Sequence, residues 1–203
     1  MGILDSLFGK KEEPVREIYR EHKDVDGMER TITVFSDGSI LAEGELGELF
    51  KTYFRLSDEI QHSKDVQRKL AACEATYKIP PEFVRAYLKD SDKLPDTILC
   101  RDVGVELYMR LGQWDKARAA INKIAAAGAY SDGGQAASDY LNRYQHAAEL
   151  ALKFLKSNPG FLQKNLYRAL PEADKDCLKS FARSSFLIRK EKSGNTNKLY
   201  LAK

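Results

Sequence analysis

Basic side chains recur at every fourth position near the carboxyl end of this chain. Lys175, Lys179 and Arg183 are each four residues apart, and this spacing places them on one face of a helix because side chains at i and i+4 lie above one another. Ser180 lies beside the stripe and can donate a hydrogen bond to a phosphate oxygen. The pattern indicates a surface that binds phosphate groups.

A second pair of cations precedes this stripe. Lys164 and Arg168 are also four residues apart, within the segment FLQKNLYRAL at residues 161–170. The segment is predicted to be a short helix with its apolar side chains inward and these two cations outward. Pro171 is expected to separate it from the next helix. We therefore include Lys164 and Arg168 in the predicted phosphate-binding surface.

The chain ends in a pattern typical of a basic β-hairpin. Two apolar and basic runs, SFLIRKEK and NKLYL, flank the turn-forming residues 193–196, where Gly194 and Asn195 accept left-handed backbone angles. Lys190, Lys192 and Lys198 are expected to cluster toward the tip, and Arg189 is expected on the face opposite Ile188. These four cations would extend the basic surface.

The charge is distributed unevenly along the chain. Residues 141–203 contain 13 Lys and Arg and 5 Asp and Glu, a net charge of +8, whereas residues 1–140 contain 20 and 25, a net charge of −5. A basic carboxyl-terminal third on an acidic body indicates contact with a polyanion. A solvated basic surface without a partner would have the same charge, so charge alone leaves both interpretations open.

The residue types that serve enzyme or metal chemistry are scattered. His22, His62 and His146 are far apart, and none has a metal-ligand spacing such as HxxxH. The sequence contains no GxGxxG motif, no Walker phosphate loop and no GxSxG elbow. We therefore expect no enzyme activity, no cofactor and no metal.

Composition places the chain among soluble globular proteins, with 43% hydrophobic and 31% charged residues. No apolar run reaches 18 residues, and the first residues lack the apolar region of a secretory signal. The three cysteines are far apart without a CxxC pair, which favours free thiols and a cytoplasmic location. Gly2 and Ser6 fit a short myristoylation pattern, so binding to a membrane surface is kept as the weakest hypothesis.

The first two thirds of the sequence predict one hairpin followed by helices. Residues 30–43 form two β-prone runs around Asp37-Gly38, a two-residue turn signal that would place Phe35 opposite Ile40. Asp24-Val25-Asp26-Gly27 is interpreted as a turn, because it lacks the other ligands of a calcium loop. Helical patterns then run from about residue 45 to 130, including a helix over 64–77 and starts at Pro81 and Pro95.

Within that region, VELYMRLGQWDKARAAINKI resembles a single tetratricopeptide-type helical hairpin at residues 103–127. Leu111-Gly112 would end the first helix, and Ala117 is small enough for the helices to approach closely. No second copy follows at a period of 34, although a solenoid needs several repeats. We therefore predict an antiparallel helix pair with Trp114 as a core or turn anchor.

The carboxyl-terminal third resembles a winged helix-turn-helix domain. The resemblance rests on FLQKNLYRALP, DKDCLKSFARSSF and LIRKEKSGNTNKLYL, preceded by a helix predicted over 136–157. It implies that the helix at 173–185 enters the major groove of DNA and that the wing at 186–202 contacts an adjacent groove or phosphates. Ser184-Ser185 departs from the family, which usually has glycine between this helix and the wing.

Together these patterns predict an α+β protein, mostly α, with a hairpin and helical body at 1–130 and a winged-helix domain at 131–203. The leading hypothesis is a non-enzymatic protein that binds duplex DNA, as a transcription regulator, with the amino-terminal body binding a partner, sensing a ligand or self-associating. The alternative is an interaction adaptor in which the helical body and the winged helix bind protein partners.

Overall fold

The computed structural model describes residues 14–25, 27–78 and 100–202. This part of the chain is α+β, with seven α-helices and two three-stranded antiparallel sheets. The chain divides into two compact units, Met1–Thr52 and Tyr53–Lys203. The division expected at residues 131–134 therefore lies within the second unit, where residues on both sides of it belong to one hydrophobic core.

The first unit is built on a three-stranded meander. Its strands are β1 (Glu17–Val25), β2 (Met28–Phe35) and β3 (Ile40–Glu43), in the order β1-β2-β3. The turn interpreted at residues 24–27 joins β1 to β2, and the Gly27 N–H donates to the Asp24 carboxylate at 2.8 Å. The sequence patterns did not predict β1, since the segment EIYREHKDV carries charged residues on both of its faces.

The turn between β2 and β3 is one residue longer than expected. Val34 pairs with Ile40, so the predicted pairing of Phe35 with Ile40 is wrong. The Phe35 N–H donates to the Ser39 carbonyl oxygen at 3.0 Å, which closes a three-residue loop. Gly38, with a φ of +82°, supplies the left-handed position that such loops need, and the Asp37 carboxylate accepts from the Ser39 N–H at 2.9 Å.

The helices of the second unit follow the apolar periodicity closely. The helix Val66–Thr76 occupies the segment predicted at 64–77, and the helix Gln135–Ser157 occupies the segment predicted at 136–157. The helix expected from Pro81, the start expected at Pro95 and the amino-terminal pattern at 1–11 lie outside the described residues. The helical elements up to α5 are α1 (Gly44–His62), which spans the division, α2 (Val66–Thr76), a π-helix (Cys100–Gly104), α3 (Val105–Arg110), α4 (Trp114–Ala126) and α5 (Gln135–Ser157).

Helix α5 lies at the centre of the second unit. Leu141, Ala147 and Ala151 are fully buried, and Tyr144 is 1% exposed. The Tyr144 ring contacts Trp114 on α4, at 6.2 Å between ring centroids. Trp114 is therefore a partly buried residue packed against this core, as the sequence predicted.

Short elements follow α5 and end in a second sheet. They are β4 (Phe161–Leu162), a 3-10 helix (Gln163–Asn165), α6 (Leu166–Ala169), α7 (Lys175–Ser184), β5 (Ile188–Ser193) and β6 (Thr196–Leu201). The sheet has the order β4-β6-β5. The hairpin predicted around residues 193–196 is confirmed, with Ser193 paired to Thr196.

The helix predicted over 161–170 is correct only in its second half. Phe161 pairs with Leu199, and Leu162 pairs with Lys198. Gly160 has a φ of +79°, and its N–H donates to the Leu199 carbonyl oxygen at 2.8 Å. The chain therefore turns out of α5 directly into a strand, and β4 attaches the hairpin to the helical core.

Candidate nucleic-acid interface

Helix α7 begins at a well-formed cap. The Asp174 carboxylate accepts hydrogen bonds from the backbone N–H groups of Cys177, at 2.9 Å, and Asp176, at 3.1 Å. The Cys177 N–H is the main reason that the pKa of Asp174 lies below its ordinary value. Arg143 on α5 adds an ion pair at 3.1 Å. These contacts fix the start of the helix that carries the predicted basic stripe.

The two faces of α7 have opposite character. Cys177, Leu178, Phe181 and Ala182 are buried in the core, and burial raises the pKa of Cys177 to about 11. The predicted stripe of Lys175, Lys179 and Arg183 is exposed on the other face. Packing therefore orients the helix so that its cations face solvent.

Arg110, the last residue of α3, clamps the junction between α7 and β5. Its Nε donates to the Ser184 carbonyl oxygen at 2.8 Å, and its guanidinium group lies 4.6 Å from the centre of the Phe186 ring. Its own carbonyl oxygen accepts from the Phe186 N–H at 2.9 Å and from the Ser185 hydroxyl at 3.3 Å. These contacts hold Ser184 and Ser185 at the junction between the helix and the hairpin.

A cleft of about 430 Å³ lies between the 3-10 helix, α6, α7 and the β5–β6 turn. We call it the basic cleft, because Lys164, Lys179 and Arg183 line it together. Its walls are tied to one another. The Asn197 amide donates to the Gln163 side-chain oxygen at 2.8 Å, and the Lys164 N–H donates to the Thr196 hydroxyl at 3.3 Å.

Two of the cations on α7 contact other side chains. The Lys175 ammonium lies 5.7 Å from the centre of the Tyr167 ring, and Tyr167 also lines the basic cleft. Lys179 pairs with Asp176 at 3.2 Å, where both side chains are more than half exposed. Such surface pairs contribute little free energy, so this pairing does not prevent Lys179 from binding a phosphate.

The hairpin presents its cations on two faces rather than in one cluster. Lys190 is paired with Leu199 and Lys192 with Asn197, so both lie on the face of the sheet that includes the cleft residue Asn197. Lys198 is paired with Glu191 and lies on the opposite face. The expected cluster of Lys190, Lys192 and Lys198 is therefore wrong, because strand alternation separates Lys198 from the other two.

The predicted wing contacts Arg189 and Lys190 each have a partner within the domain. Arg189 pairs with Glu191 and lies over the Tyr200 ring, at 4.7 Å from its centre. The hydrogen bond from Arg189 is the main reason that the pKa of Glu191 is lowered. The Lys190 ammonium donates to the Arg183 carbonyl oxygen, and a cation at that end of α7 is favoured by the helix dipole.

Three of the ten predicted site residues line the basic cleft, and Ser180 and Arg168 are among the seven that do not. Ser180 lines a separate cleft together with residues of α3 and α5. Arg168 is exposed on α6 but is not among the residues that line the basic cleft. Sequence reasoning missed Arg110, which lies 74 residues before its partner Ser184, since no local pattern reports a contact at that separation.

No family model, curated protein or solved structure matches this chain. None of the helices in the described part of the chain combines the length and the apolar composition that a membrane span requires. The same part of the chain contains no group of three or more His, Cys, Asp and Glu side chains that could hold a metal ion.

Proposed function

We propose that residues 135–202 form a winged helix-turn-helix domain that binds duplex DNA. The order of α5, β4, α6, α7 and the β5–β6 hairpin supports this assignment, because it retains the helix, short helix, basic helix and basic hairpin on which the resemblance rests. Strand β4 pairs with β6 and so fixes the wing against the helices.

One observation carries the proposal. Cations from separate elements converge on the basic cleft, with Lys164 from the 3-10 helix and Lys179 and Arg183 from α7. Lys192, on the hairpin face that includes the cleft residue Asn197, adds a further exposed charge. A run of phosphates along a DNA backbone is a ligand that can contact several such cations at once.

Each part of the domain has a role in this proposal. Helix α7 enters the major groove, where Lys175 and Lys179 contact base edges or phosphates. Arg183 and Lys192 contact the backbone beside that groove. Arg110 positions α7 relative to the wing without contacting DNA. Regulation of transcription is the use that this module implies.

The proposal is tested by fluorescence polarisation with the full chain and a labelled duplex of mixed sequence at low salt. We expect binding that Lys179→Ala/Arg183→Ala weakens at least ten-fold, because each lost phosphate contact removes part of the electrostatic free energy. The control is Lys123→Ala/Lys153→Ala, which removes the same charge from exposed positions of α4 and α5 that do not line the basic cleft. Equal weakening by both variants would show that only net charge matters.

A further inference from the structure

Helix α7 carries one carboxylate among the cations that it presents to solvent. Asp176 is the only acidic residue of the helix, and its side chain is 90% exposed. Its Oδ1 lies 3.2 Å from the ammonium group of Lys179, whose side chain is 52% exposed. A carboxylate on a surface that binds phosphates opposes that binding, since like charges repel. The proposed DNA surface therefore gives Asp176 no favourable phosphate contact.

The position of Asp176 around the helix places it on the side that points directly away from the core. Successive residues of an α-helix are about 100° apart, and four side chains mark the buried side of α7, Cys177, Leu178, Phe181 and Ala182. The direction opposite their centre lies within about 10° of Asp176 and of Arg183. Lys179 and Ser180 lie about 50° to either side of it. Asp176 and Arg183 are therefore the residues of α7 that project most directly into solvent.

These two residues lie at opposite ends of α7. Asp176 is in the first turn of the helix, and Arg183 is in the last. The cap fixes the first turn, because the Asp174 carboxylate accepts from the Asp176 N–H at 3.1 Å. In helix-turn-helix proteins, the amino-terminal residues of the recognition helix contact base edges. With α7 in the major groove as proposed above, the Asp176 carboxylate faces base edges, and Arg183 lies near the phosphate backbone.

The major groove offers a carboxylate two kinds of hydrogen-bond donor, the N4 amino group of cytosine and the N6 amino group of adenine. Asp176 and Lys179 together present an acceptor and a donor 3.2 Å apart. A C·G pair presents the complementary groups, since cytosine N4 and guanine O6 are themselves about 3 Å apart in the pair. Guanine N7 is a second acceptor for the ammonium group, whereas thymine in an A·T pair offers one acceptor beside a methyl group. The two side chains therefore fit C·G better than A·T.

We propose that Asp176 makes the domain specific for a C·G base pair. Its carboxylate accepts from cytosine N4, and the Lys179 ammonium group donates to the guanine of the same pair. This inference rests on the proposed DNA binding and adds the base pair that the domain recognises. On a duplex that lacks the site, Lys179 contacts a phosphate instead, so non-specific binding keeps the salt dependence of a phosphate contact.

The test begins with a selection by the full chain from a duplex library with a randomised central segment. We expect enrichment of a site in which C·G is preferred at the position that Asp176 contacts. The selected duplex is then compared with versions that carry A·T, G·C or T·A at that position, by fluorescence polarisation at one salt concentration. Each replacement should weaken wild-type binding about ten-fold, since the loss of one base contact has an effect of this order.

Two substitutions of Asp176 should change the preference in different ways. Asp176→Ala should reduce the discrimination to about three-fold or less, because only the Lys179 contact with guanine remains. Asp176→Asn should prefer A·T at that position, since an asparagine amide can pair with both N6 and N7 of adenine. On a mixed-sequence duplex, Asp176→Ala should bind at least as tightly as the wild type, because it removes a negative charge.

The matched control is Asp115→Ala, which removes an exposed carboxylate from the first turn of α4 and should leave every base preference unchanged. Circular dichroism checks that each variant is folded. Equal preferences in the wild type and Asp176→Ala, a selection that enriches no sequence, or a wild-type preference for A·T at the contacted position would overturn this inference while the proposed DNA binding stands. Absence of binding to any duplex at low salt would overturn both.

Discussion

The Asp174 cap gives a sharp test of how the structure positions α7. Asp174→Ala removes the acceptor of two backbone hydrogen bonds, at 2.9 and 3.1 Å, and the ion pair with Arg143. Loss of such a cap costs about 1 kcal/mol. The ion pair adds about 0.3 kcal/mol, because the Arg143 side chain is 58% exposed. We expect the free energy of unfolding to fall by about 1.3 kcal/mol in total.

The matched variant is Asp174→Asn, which keeps an oxygen acceptor at the cap but loses the charge. It should lower the free energy of unfolding by less than half as much as Asp174→Ala does, since asparagine is among the preferred cap residues. For a chain of this size the alanine variant should lower the unfolding midpoint by about 4 °C, and the asparagine variant by about 1 °C. Asp65→Ala, at the corresponding cap of α2, should resemble Asp174→Ala.

The same cap predicts a dependence on pH. Because the pKa of Asp174 is lower in the folded protein, its ionised form stabilises the fold at pH values above the unfolded pKa. This contribution is lost as the pH falls through the folded pKa, and Asp174→Asn should lack that loss. Thermal unfolding followed by circular dichroism at neutral and acidic pH measures both effects. An alanine variant as stable as the wild type, or an asparagine variant no more stable than the alanine variant at neutral pH, would refute this account of the cap.

Three further predictions concern the framework around the site. Gly160→Ala should destabilise more than Gly128→Ala, as measured by urea unfolding, because both have a φ of +79° but only at Gly160 would the new Cβ meet a side chain, Tyr200, at 3.0 Å. Arg110→Ala should lower the free energy of unfolding by about 2 kcal/mol, because it removes the hydrogen bond to the Ser184 carbonyl oxygen. The control Arg55→Ala, at an exposed position of α1, should lower it by less than about 0.5 kcal/mol. Burial protects the three thiols, Cys73, Cys100 and Cys177, and raises the pKa of each, to about 12 for Cys73. A thiol reagent should therefore modify the native protein slowly. After unfolding it should modify all three cysteines together.

Local periodicity was enough to predict the elements that carry the basic surface. The spacing of Lys175, Lys179 and Arg183 identified the exposed face of α7, and the turn residues 193–196 identified the hairpin. Both signals are local, since a helix face and a two-residue turn are determined by neighbours within a few positions. The same reasoning located α5 to within one residue of its observed start.

The features that escaped prediction depend on distant contacts. Strand β4 has two residues and is defined only by its pairing with β6, so its apolar side chains resembled the start of a helix. The clamp by Arg110 requires the packed core to exist first, because its partner Ser184 lies 74 residues away. The cations of the β5–β6 hairpin are separated because strand alternation places Lys198, paired with Glu191, on the face opposite Lys190 and Lys192.

The slope of binding against salt tests the central claim most directly. Affinity for duplex DNA would be measured across a salt series for the wild type, Lys179→Ala/Arg183→Ala and the control Lys123→Ala/Lys153→Ala. Each phosphate contact contributes about 0.9 to the magnitude of the slope of log affinity against log salt concentration. The slope for Lys179→Ala/Arg183→Ala should therefore be smaller in magnitude by about 1.8, and the slope for the control should equal that of the wild type. Absence of binding at low salt, or equal slopes for all three proteins, would contradict the account and favour the adaptor hypothesis, in which this domain binds a protein partner.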